Sequence, residues 1–155
     1  MTDEELLLLE QLVYEENCDK ANDNLLDFTK FTFDGFVETN FHRTYYKILD
    51  LFAKGKIKNL MITVAPQHGK TEGSTRRLPA YMLGKDPNKR IAIGSYNQSL
   101  ARKFNRQIQR IIDEKRYKDI FPNTKLAQSD TKGYVRNADE VEMVGSDGSL
   151  LPYGS

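Results

Sequence analysis

Hydrophobic residues recur every three or four positions in two stretches of the chain, which is the spacing of an amphipathic helix. The first stretch predicts a helix from residue 40 to about residue 53, and the second a helix that follows residue 95 and reaches about residue 115. The residues that form the two stripes are Phe41, Tyr45, Ile48, Leu49 and Phe52, and then Leu100, Phe104, Ile108, Ile111 and Ile112. Gly55 suits the end of the first helix, and a capping box at residues 95–98 suits the start of the second.

The N-terminus predicts another helix. Thr2 and Glu5 stand in the positions of a capping box, and acidic residues in a first turn complement the helix dipole. A helix over residues 3–16 is therefore predicted. Residues 17–24 are polar and rich in turn-forming types, and residues 25–36 follow no clear period, so they are interpreted as irregular structure.

Two short apolar runs differ from the helices because they do not alternate and are rich in β-branched residues. Residues 59–65 and 90–95 have this pattern, which is typical of parallel strands covered on both faces. Residues 71–83 between them predict a helix, although Gly73 and Pro79 weaken it. A strand, a helix and a strand at this spacing favour a right-handed βαβ unit and a parallel α/β fold. Residues 134–136 and 140–144 are candidates for short strands.

The chemistry lies in the loop at residues 65–71, Ala-Pro-Gln-His-Gly-Lys-Thr. Gly69 lets backbone N–H groups converge on a phosphate, Lys70 brings a cation to the β and γ oxygens, and Thr71 offers a hydroxyl to Mg²⁺. Only the second half of the phosphate-loop pattern is present, since Val64 stands at its first glycine. A tight strand-to-helix turn with an incidental lysine is the alternative, and the predicted strand and helix on either side favour phosphate binding.

Composition indicates one soluble domain, and charge is unevenly distributed along it. The chain has 155 residues and a net charge of +1. Residues 1–50 hold 12 acidic and 4 basic side chains, whereas residues 51–118 hold 16 basic and 4 acidic ones. This asymmetry favours a polyanionic partner for the middle of the chain, against a merely solvated basic face. No run approaches the ~18 apolar residues of a membrane span, so a cytoplasmic protein is expected.

The loop and its flanks resemble the large subunit of tailed-phage terminases, whose ATPase carries a loop of the type Pro-Pro-Arg-His-Gly-Lys-Ser. The resemblance covers roughly residues 40–122. It includes Phe41-His42-Arg43, Gly55-Lys56-Ile57, Glu72, Arg76-Arg77-Leu78-Pro79-Ala80, Leu83-Gly84, Pro87 and Ser95-Tyr96-Asn97-Gln98.

The resemblance implies a P-loop NTPase fold, a parallel sheet with flanking helices, for residues 41–155, preceded by a helical and irregular lead segment over residues 1–40. It implies ATP and Mg²⁺ as cofactors, and an ATPase that drives double-stranded DNA into a capsid in the cytoplasm of the phage's host. In the full-length family the partners include the small terminase subunit and the portal protein, and the subunits are expected to form a homo-oligomer.

The resemblance also suggests roles for individual residues. Lys70 is the catalytic candidate, and Gln67, His68, Gly69, Lys70 and Thr71 are the candidate nucleotide contacts, with Thr71 also on the metal. His68 either touches phosphate or only shapes the turn. His42 and Arg43 are candidates for contact with the base, although a histidine on such a helix is more often structural.

Two departures from the family pattern stand out. Gln67 occupies the position of the usual loop arginine, so Arg76, Arg77 or an arginine of a neighbouring subunit would have to replace it. Residues 119–155 contain no apolar run that ends in paired carboxylates, and Asp139-Glu140 is interpreted as a solvated turn. The chain is therefore expected to be a fragment without the nuclease domain, which binds nucleotide but hydrolyses it weakly.

A basic ridge is predicted on the helix near residue 100, where Arg102, Arg106 and Arg110 are four residues apart. Contact with a DNA backbone and a solvated surface both fit this ridge. Two further functions also stay open at this point, a fragment of a helicase-like P-loop NTPase and a non-enzymatic module that binds nucleotide or DNA.

Overall fold

The computed structural model describes residues 2–127, 133–143 and 149–154, and for the last of these ranges only the backbone. The chain is mostly helical. The helices are α1 (Asp3–Asp23), α2 (Leu25–Thr32), α3 (Asn40–Ala53), a π-helix (Thr71–Arg77), α4 (Leu78–Lys85), α5 (Gln98–Asp113) and α6 (Lys115–Ile120). None of the helices in the described ranges is both long and apolar enough to cross a membrane.

The first two helices are both set by capping side chains. Thr2 Oγ1 accepts a hydrogen bond from the Glu5 N–H at 3.2 Å, and the Glu5 carboxylate accepts one from the Thr2 N–H at 2.7 Å. The predicted capping box is thus confirmed, and α1 runs past residue 16 to Asp23. The prediction of irregular structure over residues 25–36 is wrong for α2. Asn24 Oδ1 accepts from the Asp27 N–H at 2.9 Å, so one polar residue caps this short helix.

The later helices lie near their predicted positions, but their form differs, and the predicted capping box at residues 95–98 is wrong because Asn97 caps α5 while Ser95 ends β1. The helix expected over residues 71–83 begins as the π-helix and continues without a break as α4, with Pro79 as the second residue of α4. The helix expected to reach residue 115 ends at Asp113, because Glu114 is extended (φ −65°, ψ 144°) and the chain restarts as α6.

A small mixed sheet lies beside these helices. Its strands are β1 (Ile91–Ser95), β2 (Val141–Glu142) and β3 (Ser149–Gly154). β3 lies in the middle, parallel to β1 and antiparallel to β2. β1 confirms the strand predicted at residues 90–95. β2 falls within the candidate 140–144, whose last residue lies outside the described residues, and Arg136 of the candidate 134–136 forms an isolated bridge with Val141.

The predicted fold class, a P-loop NTPase with a parallel sheet, is wrong. Residues 59–65 lie outside every helix and strand, and β1 pairs with β3 instead. The predicted βαβ unit is therefore not formed. The apolar run was interpreted as buried on both faces, whereas Leu60 and Ile62 are half-buried and Met61 between them is 92% exposed. One apolar face is enough to pack this segment on the helices, and no strand of the described chain pairs with it.

An aromatic cluster forms the centre of the helical core. The rings of Phe28, Tyr81, Tyr117 and Phe121 lie with their centroids 5.2 to 6.1 Å apart, in tilted or edge-on arrangements. Gly84 admits the Phe121 ring, since a Cβ at residue 84 would lie 2.3 Å from it. Helices from both halves of the chain therefore share one core.

Candidate functional site

Residues 65–70 carry the backbone from the extended segment into the π-helix through two residues with positive φ. Gln67 has φ +66° and Gly69 has φ +71°. Glycine adopts this conformation without strain, whereas a side chain makes it costly. Glycine at residue 69 also leaves room for the imidazole of His42, because a Cβ at this position would lie only 3.2 Å from His42 Nε2.

The helix that follows the loop begins at its glycine. The Gly73 N–H donates to the Gly69 carbonyl at 3.0 Å, which is the first hydrogen bond of the helical turn. The N–H groups of Gly69 and Lys70 precede this bond, so they have no partner inside the helix. They are therefore free to donate to an anion held at the loop.

Two tyrosines of α3 contact the loop lysine and the first turn of the π-helix. The Tyr45 hydroxyl donates to the Lys70 carbonyl at 2.9 Å, and Ser74 Oγ donates to the same oxygen at 2.8 Å. A Cβ at Gly73 would lie 2.7 Å from the Tyr45 ring and 3.2 Å from the Tyr46 ring, so glycine is needed there. Burial raises the pKa of Tyr45, and it raises the pKa of Tyr46 to about 12. Both hydroxyls consequently stay protonated at neutral pH.

The side chains of Lys70 and Thr71 come next along the chain. Lys70 is half-buried, and its ammonium group makes no ion pair or hydrogen bond with the residues that the structure describes. Thr71 is exposed. A cation and a hydroxyl are thus available beside the two N–H groups of the loop.

The start of α3 contacts the loop through two rings. His42 lies beside Gly69, and its Nδ1 is 3.2 Å from the Thr39 N–H nitrogen and 2.9 Å from Thr39 Oγ1. The rings of Phe41 and His68 meet edge to face, with centroids 5.9 Å apart.

The other loop and α3 candidates make local contacts. His68 Nδ1 is 2.9 Å from the Pro66 carbonyl oxygen, a contact that shapes the turn. Arg43 Nε donates to Glu38 at 2.5 Å, and Glu38 also pairs with Lys30. These two cations lower the pKa of Glu38, Lys30 more strongly than Arg43. Arg43 is thus engaged with Glu38, whereas His42 faces the loop.

Glu72 pairs with Arg76 and with Arg77, the two arginines of this chain that could replace the arginine missing from the loop. It accepts from Arg76 Nη1 and from Arg77 Nε, each at 2.6 Å. Arg77 is buried, and its Nη1 also donates to the carbonyl and the hydroxyl of Thr32 at 3.0 and 2.9 Å. Arg77 therefore ties the π-helix to α2. Arg76 is more exposed, and its buried Nε has no partner among the described residues.

The three arginines of α5 are not equivalent. Arg102 Nε donates to Asp139 at 2.5 Å, whereas Arg106 and Arg110 are exposed and form no ion pair with the described part of the chain. Asn137 Oδ1 accepts from the N–H groups of Asp139 and Glu140 at 2.7 and 2.8 Å. This geometry confirms the predicted turn at Asp139-Glu140. Across the described ranges, no three His, Cys, Asp or Glu residues are grouped so as to hold a metal ion.

Sequence reasoning missed two of the residues that build the site. Tyr45 was interpreted as a core residue, but its hydroxyl bonds to a loop carbonyl 25 positions away. No local pattern encodes such a contact. The sequence indicated the pairing of Glu72 with two arginines only weakly. Arg76 and Arg77 follow Glu72 by four and five residues, which is near the spacing of helical ion pairs.

A glycine turn and a lysine ammonium without a partner among the described residues define the class of site, a candidate anion-binding loop at the start of a helix. Comparison with known families then identifies the family. Residues 61–148, more than half of the chain, match the family described as "Terminase large subunit, T4likevirus-type, N-terminal". The chain belongs to this family. No curated protein and no solved structure is significantly similar to it.

Family membership confirms the resemblance to phage terminase large subunits and supports a role in DNA packaging. Terminase large subunits are generally ATPases, and DNA, portal and small-subunit partners belong to the family in general. The match to a terminase family favours the terminase interpretation over a helicase-like one.

Removal of the Tyr45 hydroxyl tests whether α3 supports the loop. In Tyr45→Phe the ring stays and the Lys70 carbonyl loses one donor, so the free energy of unfolding should fall by about 1 kcal/mol. The amides of residues 73 and 74 should also exchange with deuterium faster. Tyr96→Phe is the matched control, since Tyr96 is exposed. Equal exchange rates in the two variants would contradict the support role.

Proposed function

We propose that this chain binds ATP through residues 65–71, as the N-terminal part of a motor that couples ATP hydrolysis to the movement of DNA into a capsid. The single observation that carries the proposal is that Lys70, the residue after Gly69, has an ammonium group with no ion pair or hydrogen bond to a described residue. Family membership places this loop in a terminase large subunit. The proposal concerns this loop and these side chains.

The polar groups of the loop suit a polyphosphate. The N–H groups of Gly69 and Lys70 donate to phosphate oxygens, and the Lys70 ammonium neutralises charge on the β and γ groups. The absence of a Cβ at Gly69 lets the backbone approach the ligand. His68 shapes the turn through Pro66.

Magnesium would enter with the nucleotide. Mg²⁺ takes oxygen ligands and commonly combines one or two protein oxygens with phosphate oxygens and waters. The exposed Thr71 hydroxyl supplies one such protein oxygen next to Lys70. When bound, the ion neutralises charge that develops on the phosphates.

His42 is proposed to border the nucleotide, because its ring lies beside Gly69. Gln67 cannot neutralise charge, so an arginine has to come from elsewhere. Arg77 is anchored to Thr32 and Glu72, which leaves Arg76 as the arginine in the π-helix that can exchange partners. An arginine of a neighbouring subunit is the alternative source.

Calorimetry with a non-hydrolysable ATP analogue and Mg²⁺ tests the site. Lys70→Ala should weaken binding by about tenfold to a hundredfold, since it removes charge-assisted hydrogen bonds to phosphate. Lys56→Ala is the matched control, because Lys56 is an exposed lysine. It should bind like the unchanged chain. Equal affinity of the Lys70 and Lys56 variants would refute the assignment of the loop.

We further propose that Arg106 and Arg110 contact the DNA backbone. Both are exposed, lie on one face of α5 and lack an ion pair in the described structure, whereas Arg102 is held by Asp139. Arginine side chains are common partners of phosphate oxygens in protein–DNA contacts. The middle of the chain carries the excess of positive charge that such a partner needs.

Charge reversal of both arginines tests the DNA contact. Arg106→Glu with Arg110→Glu should lower the affinity for double-stranded DNA at low salt by about tenfold or more, and it should flatten the dependence of affinity on salt. The control pair Lys56→Glu with Lys125→Glu makes the same change in net charge at exposed positions elsewhere. If both pairs lower the affinity equally, only net charge matters and the ridge is not a DNA site.

The remaining assignments follow from the family. The small terminase subunit and the portal protein are the proposed protein partners, and the host cytoplasm is the proposed site of action. The alternative, a module that binds nucleotide or DNA without turnover, would show full affinity for the analogue and no release of phosphate from ATP, with or without DNA.

A further inference from the structure

One side of α5 holds the turn at residues 136–140 through its own side chains. Asn105 and Gln109, both buried, lie about one helical turn apart on this side. Asn105 Nδ2 donates a hydrogen bond to the Ala138 carbonyl at 3.2 Å. Gln109 Nε2 donates one to the Asn137 carbonyl at 2.7 Å. The backbone of the turn is therefore fixed on α5 by buried amide groups.

Arg136 and Asn137 fix the start of the same turn. The guanidinium of Arg136 forms an ion pair with Asp113, the last residue of α5. Asn137 Oδ1 accepts from the N–H groups of Asp139 and Glu140, so the turn is also closed by its own hydrogen bonds. None of these contacts uses the carboxylate of Asp139.

The carboxylate of Asp139 pairs with the first arginine of α5. Asp139 Oδ1 accepts from Arg102 Nε at 2.5 Å, and the side chains of Asp139 and Arg102 are 52% and 41% exposed. An ion pair this exposed contributes little to the stability of the fold, and water and salt compete with it. The main effect of the pair is therefore to neutralise the charge of Arg102.

Arg102 lies next to the two other arginines of the basic ridge, which form no ion pair with the described part of the chain. It precedes Arg106 by four residues, which is about 6 Å along the axis of α5 and about 40° around it. Arg110 follows Arg106 at the same interval. The three arginines therefore form one continuous row, and Asp139 neutralises the first of them.

We propose that Asp139 masks one end of the basic ridge, and that Arg102 becomes a third contact to the DNA backbone when a phosphate displaces this carboxylate. The proposal rests on the proposed contact of Arg106 and Arg110 with DNA. DNA that reaches these two arginines brings phosphates close to the preceding turn of α5. Carboxylate and phosphate oxygens are alternative acceptors for the same guanidinium, so they compete for Arg102.

The mask distinguishes a long polyanion from a small anion. A single phosphate ion that binds Arg102 gains one contact and breaks the ion pair with Asp139, so it gains little. A DNA strand already held at Arg106 and Arg110 makes the third contact within the same complex, at a high effective concentration. Because buried amides hold the turn, it stays on α5 when Arg102 changes partner.

The affinity for a short double-stranded DNA, measured by fluorescence anisotropy over a range of salt concentrations, tests the proposal. Asp139→Asn should raise the affinity at low salt by about threefold to fivefold, because exposed ion pairs commonly stabilise by an equivalent amount. The variant should also steepen the fall of log affinity with log salt concentration by about one, since one more phosphate is contacted. The Asp139 N–H still donates to Asn137, so the turn should be retained.

Glu140→Gln is the matched control. It removes one negative charge from the same turn, and Glu140 forms no ion pair with a described residue. This variant should bind DNA with nearly the affinity and salt dependence of the unchanged chain. On a background of Arg102→Gln, Asp139→Asn should no longer raise the affinity, because the arginine that it unmasks is absent.

Two results would overturn the mask and leave the DNA site in place. Equal effects of Asp139→Asn and Glu140→Gln would show that only net charge matters. A gain from Asp139→Asn that persists in Arg102→Gln would show that Arg102 is not the group unmasked. If instead the chain does not bind DNA, or Arg106→Glu with Arg110→Glu leaves its affinity unchanged, the proposed DNA site fails and the mask fails with it.

Discussion

Two tyrosine rings of α3 lie against Gly73, and nothing larger than a hydrogen atom fits between them and the backbone of the π-helix. This close approach brings the Tyr45 hydroxyl within 2.9 Å of the Lys70 carbonyl. The carbonyl of the loop lysine is thereby held by a side chain of α3. The shape of the loop thus depends on a contact between parts of the chain that are distant in sequence.

The charged side chains of the helices divide into those that pair within the fold and those that do not. Glu72 and Arg77 join the π-helix to α2 through Thr32, so the helix that follows the loop is anchored at its far end as well. Lys70 is left without a partner in the described structure, and so are Arg106 and Arg110 on α5. A cation that the fold does not neutralise is available to a ligand, whereas one such as Arg77 mainly stabilises the fold.

Local signals in the sequence predicted the local features well. The capping box at Thr2, the apolar stripe of α3 and the glycine of the loop each act within a few residues, and the structure confirms the elements that they predict. Lys70 and Gly69 were also selected as candidate site residues from their spacing, and that assignment stays a prediction. The missed helix α2 begins at a single capping residue, Asn24, and its eight residues are too few to show a helical period.

The wrong fold class has a different cause. An apolar run of seven residues fits a buried strand and an extended segment with one buried face equally well, and only a neighbouring strand decides between them. β1 finds β3 as its neighbour, and residues 59–65 find none in the described chain. The family match to a terminase large subunit is independent of that error, since it rests on residues 61–148.

The central claim is that the backbone of the loop receives the phosphates of a nucleotide. An amide-resolved NMR titration of the chain with a non-hydrolysable ATP analogue and Mg²⁺ tests it most directly. The account predicts that the largest shifts fall on the amides of Gly69, Lys70 and Thr71, with smaller shifts around His42. Binding that leaves these three amides unchanged, or no binding at all, would contradict it.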